Sequence, residues 1–297
     1  LQDRPKIREG YLELKWGKIY YRIAGPRQPG IPLLCLHGGP GGTWDYLEPL
    51  EELTDKRPVI FYDQLGGGGS DRPADLSLYT VDYFISELEQ VVRQLGLERF
   101  HLLGQSWGSM LATAFYLKNR PRGLLSLTLA GPFLSAPRFT ADQRENLARM
   151  PQNIQNIVRR CEAEKDYNRP EYQQAMSEFY KIHLCNLEPW PDPLQRTFSR
   201  LGSEVYNRLW GPSEFTVEGE LKDYDLTPRL GEITIPALLT CGEYDESTPK
   251  TTAFYHRLIP GSQMQVFAGA THSHHLEQPE LFLKILSDFL SFSEKRP

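Results

Sequence analysis

Cysteine is scarce in this chain. It occurs four times in 297 residues, as Cys35, Cys161, Cys185 and Cys241, scattered and never in a Cys-x-x-Cys spacing. A disulfide framework is therefore not expected, and the four read as reduced core thiols of a cytoplasmic protein. Long apolar runs are missing too. None reaches the roughly 18 residues needed to cross a bilayer, and the longest, around Leu124 to Leu134, is interrupted by Ser, Thr, Gly and Pro. Residues 1–9 (LQDRPKIRE) have no apolar core, so no secretory leader is expected in this chain. There is no block of Lys and Arg, and 33 basic against 38 acidic residues leave a net charge of −5. That balance argues against polyphosphate partners, so neither nucleic acid nor a membrane surface is expected to bind. No internal repeat or low-complexity tract occurs.

What is present is a chain about twice a typical domain in length, enough for one large α/β domain or a domain carrying an insertion. Residues Tyr11–Lys15 and Lys18–Ile23 alternate aromatic and β-branched positions around Trp16-Gly17, as an antiparallel edge hairpin would. Continuous apolar runs follow at Pro32–Leu36, Val59–Tyr62, His101–Leu103, Leu124–Leu129 and Ala237–Thr240. Such runs suit strands covered on both faces, and the helical spacers between them imply a mostly parallel sheet. Thr80–Leu95 is one such spacer, with apolar residues at 3.6-residue intervals and Gly96 as its stop; Gly108–Asn119 and Gln278–Phe292 are others. Between Ser135 and about Asp225 strand-like runs vanish. Polar helical segments take over (Asp142–Met150, Ile154–Lys165, Pro170–Leu184), separated by Pro-rich joints such as Glu188–Pro193. The expected organisation is a sheet core from 1–134 and 226–297, with 135–225 inserted as a helical cap over the C-terminal edge of the sheet.

The chemistry centres on Gly104-Gln-Ser106-Trp-Gly108. A Gly-x-Ser-x-Gly pentapeptide arises by chance in about one chain in ten of this length, so its context decides. An apolar strand ends just before it and a helix starts just after, the setting of a nucleophile elbow. A serine hydroxyl needs a base, and the base an orienting acid. With such an elbow these follow in the order acid, then histidine. Asp245 ends the strand-like run from Ile235 and is the candidate acid. His272, after Gly269-Ala-Thr, is the candidate base. His274 and His275 read as solvated loop or helix-start residues, and His-Ser-His-His lacks the carboxylate or Cys partners of a metal site. The loop His37-Gly-Gly-Pro-Gly-Gly42 follows a strand, as a loop donating one oxyanion N–H would, and Trp107, after the nucleophile, supplies the other. Neither this loop nor Gly66–Gly69 fits a phosphate-binding pattern. No cofactor and no metal are expected.

Five motifs stand in an order that resembles the proline iminopeptidase family of α/β-hydrolases, close to tricorn-interacting aminopeptidase. They are Leu36-His-Gly-Gly-Pro-Gly41, Phe61-Tyr-Asp-Gln-Leu-Gly66 with Gly69-Ser70, Gly104–Gly108, Gly242-Glu-Tyr-Asp245 and Gly269-Ala-Thr-His272. The resemblance implies an α/β-hydrolase fold: a mostly parallel central sheet with flanking helices and an inserted helical cap. It implies Ser106 as nucleophile, His272 as base, Asp245 as its acid, and Gly39 and Trp107 as oxyanion donors. Glu214 and Glu246 match the carboxylates that hold a substrate's free α-amino group. The implied activity is release of an N-terminal residue, preferably proline, from a small peptide, with Trp190, Tyr206 and Phe215 as candidate walls of the ring pocket. The same scaffold serves amidases and esterases of small acyl substrates, including amino-acid amides, which is the alternative reading. Two positions depart from the family pattern. Gly67 stands where a cysteine is usual, and Ser109 where glycine is.

Overall fold

A computed structural model describes residues 6–295. The leader expectation falls partly on residues 1–5, which lie outside the described residues. Eight strands among the described residues form one sheet: β1 (Ile7–Leu14), β2 (Gly17–Ala24), β3 (Leu33–Leu36), β4 (Val59–Tyr62), β5 (Phe100–Gln105), β6 (Leu124–Ala130), β7 (Ala237–Gly242) and β8 (Gln263–Phe267). Their spatial order is β1-β2-β4-β3-β5-β6-β7-β8. β2 runs antiparallel to both β1 and β4, and every other pairing is parallel. Every residue of β3, β4, β5 and β7 is buried, as continuous apolar runs covered on both faces require. β1, at the sheet edge, instead exposes most of its residues. The hairpin turn is Lys15-Trp16, one residue earlier than the sequence suggests, because Gly17 already pairs with Leu14.

The helices around the sheet are α1 (Val81–Gln94), α2 (Trp107–Asn119), α8 (Pro249–Leu258), α9 (His274–Glu277) and α10 (Pro279–Glu294). Between β6 and β7 lie α3 (Ala136–Arg149), α4 (Gln152–Glu164), α5 (Pro170–His183), α6 (Asp192–Ser199) and α7 (Ser203–Leu209). Thr80 caps α1 by accepting the Tyr83 N–H at 3.1 Å. α3 starts six residues before the expected Asp142, because Pro137 falls in its first turn, where a missing N–H costs nothing. A bridge between Ser135 and Asp225 closes the neck of the insertion. The insertion has an apolar cluster of its own, including Leu147, Val158, Cys161, Tyr172, Phe179 and Phe215. Phe139, Val205, Leu209 and Trp210 instead join the main core under α2, so the insertion is anchored to the sheet by side-chain packing.

One feature of the topology places the chemistry. The chain passes from β3 to β4 on one side and then returns to β5 on the other. In an open parallel sheet, the crevice at such a reversal, beyond the strands' C-terminal ends, is where ligands bind. Leu36 pairs with Gly104, so the loop after Leu36 and the turn after Gly104 emerge level with each other.

Candidate active site

Ser106 sits between β5 and α2 at φ 54° and ψ −123°, a backbone conformation that a residue with a Cβ adopts at a cost of about 1–3 kcal/mol. Two glycines make the turn possible. A Cβ on Gly104 would lie 2.1 Å from the Gly108 carbonyl oxygen, and one on Gly108 would lie 2.3 Å from that of Leu36. The Ser106 N–H donates to the Ala130 carbonyl at 2.9 Å. From Phe100 to Leu117, Ser106 is the one residue that is not buried. The sharp turn pushes this side chain out of the core and into a cavity.

The loops after β7 and β8 bring up the next pair. His272 Nδ1 lies 2.7 Å from Asp245 Oδ1. Asp245 is buried and also accepts the Ser247 and Gly242 N–H groups at 2.8 and 3.1 Å. The imidazole packs over Gly131, where a Cβ would come within 2.6 Å of His272 Cε1. The His272 N–H donates to the His183 carbonyl at the end of α5, at 2.9 Å. Burial opposes a positive charge on His272, but Asp245 and then Glu246 and Glu214 outweigh it and push its pKa up to about 9.

One side chain ties Trp107 to the loop that carries Gly39. Gln64, in the loop after β4, accepts the Trp107 indole N–H at 2.8 Å and donates its amide to the His37 carbonyl at 3.1 Å. Its backbone N–H donates to His37 Nε2 at 3.0 Å, so His37 Nδ1 carries the proton donated to the Gly38 carbonyl at 2.8 Å. Burial keeps His37 neutral by lowering its pKa to about 4. The Gly38 N–H is already given to the Tyr46 hydroxyl at 2.6 Å. The Trp107 N–H, first in α2, belongs to the turn in which helix N–H groups have no intrahelical acceptor.

A cavity of about 220 Å³ opens over these groups, lined by Gly39, Ser106 and His272 on the sheet side. Glu214, Glu246, Tyr180, Tyr206, Phe139 and Trp210 line it further up. No lining residue among the described residues is Lys or Arg. Glu214 Oε2 accepts from the Tyr206 hydroxyl at 2.5 Å and the Tyr180 hydroxyl at 2.9 Å. Burial raises the Glu214 pKa, and these two donors oppose the rise. Glu246 Oε2 lies 4.0 Å from His272 Nε2, and its buried Oε1 has no hydrogen-bond partner among the described residues. Burial pushes the Glu246 pKa up, while nearby His272 pulls it down and Glu214 and Asp245 add to the rise. The arrangement suits acyl transfer to a serine, next to a pocket with a strong demand for positive charge.

Residues 31–279 match the α/β-hydrolase-fold family. The chain is 41% identical to a proline iminopeptidase of Heyndrickxia coagulans over 95% of this chain and 98% of that one. Among solved structures, VinJ superposes with a TM-score of 0.92 at 34% identity, covering 97% of this chain and 99% of that one. Proline iminopeptidase from Mycobacterium smegmatis superposes with a TM-score of 0.89 at 33% identity, covering 96% and 98%. The chain belongs to the proline iminopeptidase family. As a member of that family it is a hydrolase with the α/β-hydrolase fold, as the motifs implied.

Against the family pattern, its two departures acquire physical reasons. A Cβ on Gly67 would lie 2.5 Å from the Gly42 carbonyl oxygen, so the Gly-rich loop packs where a cysteine side chain would begin. The Ser109 hydroxyl donates to the Ser106 carbonyl at 2.6 Å and accepts the Phe133 N–H at 2.9 Å, tying the elbow to the loop after β6. Other expectations need correction. His274 and His275 are buried, not solvated, because α9 turns them inward. His274 Nε2 lies 2.9 Å from the Thr240 hydroxyl, and His275 Nε2 lies 3.2 Å from the Tyr46 carbonyl. Of the three aromatics expected in the pocket, only Tyr206 lines the cavity. Phe215 is buried in the insertion's own cluster, and Trp190 packs on Phe198. Gln64, Tyr46 and Tyr180 went unnoticed in the sequence, although Gln64 lies within a motif that was singled out.

Proposed function

We propose that the protein is a serine aminopeptidase that releases an N-terminal residue, preferably proline, from small peptides through an acyl-enzyme. The observation that carries this reading is a single cavity with Ser106 and His272 at one end, two carboxylates nearby and no Lys or Arg among its described lining residues. Ser106 attacks the first carbonyl carbon while His272 takes its proton, and Asp245 keeps the imidazole oriented. The oxyanion is received by the Gly39 and Trp107 N–H groups. His272 then gives the proton to the departing amine, and water releases the residue by the reverse sequence. Glu214 and Glu246 receive the substrate's ammonium and end the pocket, which leaves no room for chain before the first residue. Phe139, Tyr206 and Trp210 offer apolar surface for a pyrrolidine ring. Residues 135–225 act as the cap domain on a core of 1–134 and 226–297. The names of the relatives support proline, and four unpaired buried thiols support a cytoplasmic location. The test compares prolyl-p-nitroanilide with its N-acetyl form. A loss of at least about 100-fold in kcat/KM on acetylation is expected. Equal turnover would instead favour an amidase or esterase of small acyl groups.

A further inference from the structure

Three carboxylates face one imidazole. Asp245 holds His272 Nδ1 at 2.7 Å, Glu246 lies 4.0 Å from Nε2, and Glu214 lines the same cavity from the segment between α7 and β7. Among the described residues, the other titratable groups packed around them bring no unpaired cation. They are the Tyr172 and Tyr180 hydroxyls on α5 and that of Tyr206 on α7, His183 at the end of α5, the Cys241 thiol of β7, and His274 on α9, 3.8 Å from Asp245 Oδ2; Arg149, which acts on His183, is paired with Glu145 at 2.6 Å. Burial holds His183 and His274 neutral by lowering their pKa. Among the described residues, the one group in the cavity able to balance the carboxylates is therefore the imidazole itself. Nε2, the nitrogen nearest Glu246, is also the atom that must accept the Ser106 proton.

We propose that Glu246 makes the substrate's own ammonium the switch that turns on the general base. Without an ammonium, His272 stays protonated as the counter-ion of Glu246 and Glu214 and cannot accept a proton from Ser106. An arriving ammonium takes over as counter-ion, and His272 Nε2 releases its proton to solvent, one per ammonium bound. Glu246 is then a specificity-determining residue that acts on the chemical step as well as on binding. A blocked peptide that enters the cavity still meets an inactive base. The elevated pKa of His272, about 9, has the direction this requires, with Asp245 the largest cause of the rise and Glu246 and Glu214 adding to it.

This inference rests on the aminopeptidase reading of the site but is tested apart from it, on an ester that has no amine. Wild-type enzyme is assayed with p-nitrophenyl acetate across pH, with and without methylammonium, using sodium chloride to match ionic strength. In that reaction the Ser106 Oγ–acetyl bond forms, p-nitrophenolate leaves, and the Ser106 proton passes to His272. The expected result is a pH midpoint near 9 without amine. At pH 7, methylammonium should give a saturable acceleration of about tenfold or more and lower the midpoint. Glu246→Gln should turn over the ester faster than wild type at pH 7 and lose the response to methylammonium. A midpoint near the ordinary imidazole value, or inhibition by methylammonium, would overturn the switch. A preference for prolyl- over N-acetylprolyl-anilide would survive that failure. Loss of that preference would instead remove the aminopeptidase reading itself.

Discussion

The two sides of the cavity are built by different means. The sheet side is backbone: a strained serine at a strand end, N–H groups, and glycines whose missing Cβ atoms let three chain segments meet within van der Waals contact. The side away from the elbow is side chain: carboxylates held or faced by tyrosines and an imidazole, several of them on helices inserted between β6 and β7. Backbone geometry tolerates almost no substitution, whereas side-chain geometry can be exchanged residue by residue. In the proposed reading the first presents Ser106 to His272 and the second sets which acyl group is accepted.

Substitutions should separate the two sides. Ser106→Ala should lower kcat by roughly a million-fold, measured on prolyl-p-nitroanilide, and leave the melting temperature close to wild type. Gly108→Ala should act on the fold, because its Cβ would fall 2.3 Å from a backbone carbonyl that cannot rotate away. A loss of about 3 kcal/mol in urea-unfolding free energy is expected. Glu214→Gln removes one charge from the far side only. It should lower kcat/KM for the prolyl anilide by about 100-fold, while hydrolysis of the N-acetyl compound should not fall and should rise where the lost charge frees His272. An equal loss on both compounds would merge the two sides into one structural unit.

The smallest effect is on the pH dependence of stability. His272 has a folded-state pKa of about 9, above its unfolded value of about 6.5. Its stabilisation is complete below about pH 6.5 and is lost as pH rises through about 9. Burial raises the Glu246 pKa as well, so its carboxyl acts in the same sense and its advantage for the fold is likewise lost as pH rises. The melting temperature should therefore fall from about pH 5 to pH 9. Glu246→Gln should flatten the fall.

The same contrast explains what could be read from the sequence. The sheet side needs glycine, serine, histidine and aspartate at fixed places after strands, so Ser106, Asp245, His272 and the His37–Gly42 loop stood out as motifs. Strand positions were legible because burial on both faces leaves unbroken apolar runs. The inserted helices offered no such constraint. In the insertion an aromatic residue reads the same whether it faces a cavity or a neighbouring side chain, and Phe215 and Trp190, both on segments between helices, turned out to face neighbours. α6 and α7 are eight and seven residues long, too short for a 3.6-residue repeat to show. His274 and His275 do start a helix, but their burial was not legible because a four-residue helix reverses which side of a loop is buried. Gln64 lay in plain view, but its hydrogen bonds run to His37 and Trp107, 27 and 43 residues away.

The central claim is that one cavity joins an acyl-transfer centre built from backbone to an ammonium site built from carboxylates. A crystal structure with a prolyl boronic acid tests it directly. The account predicts boron bonded to Ser106 Oγ, a boronate oxygen on the Gly39 and Trp107 N–H groups, and the pyrrolidine nitrogen between Glu214 and Glu246. A nitrogen pointing toward solvent, or boron bonded to any other residue, would contradict it.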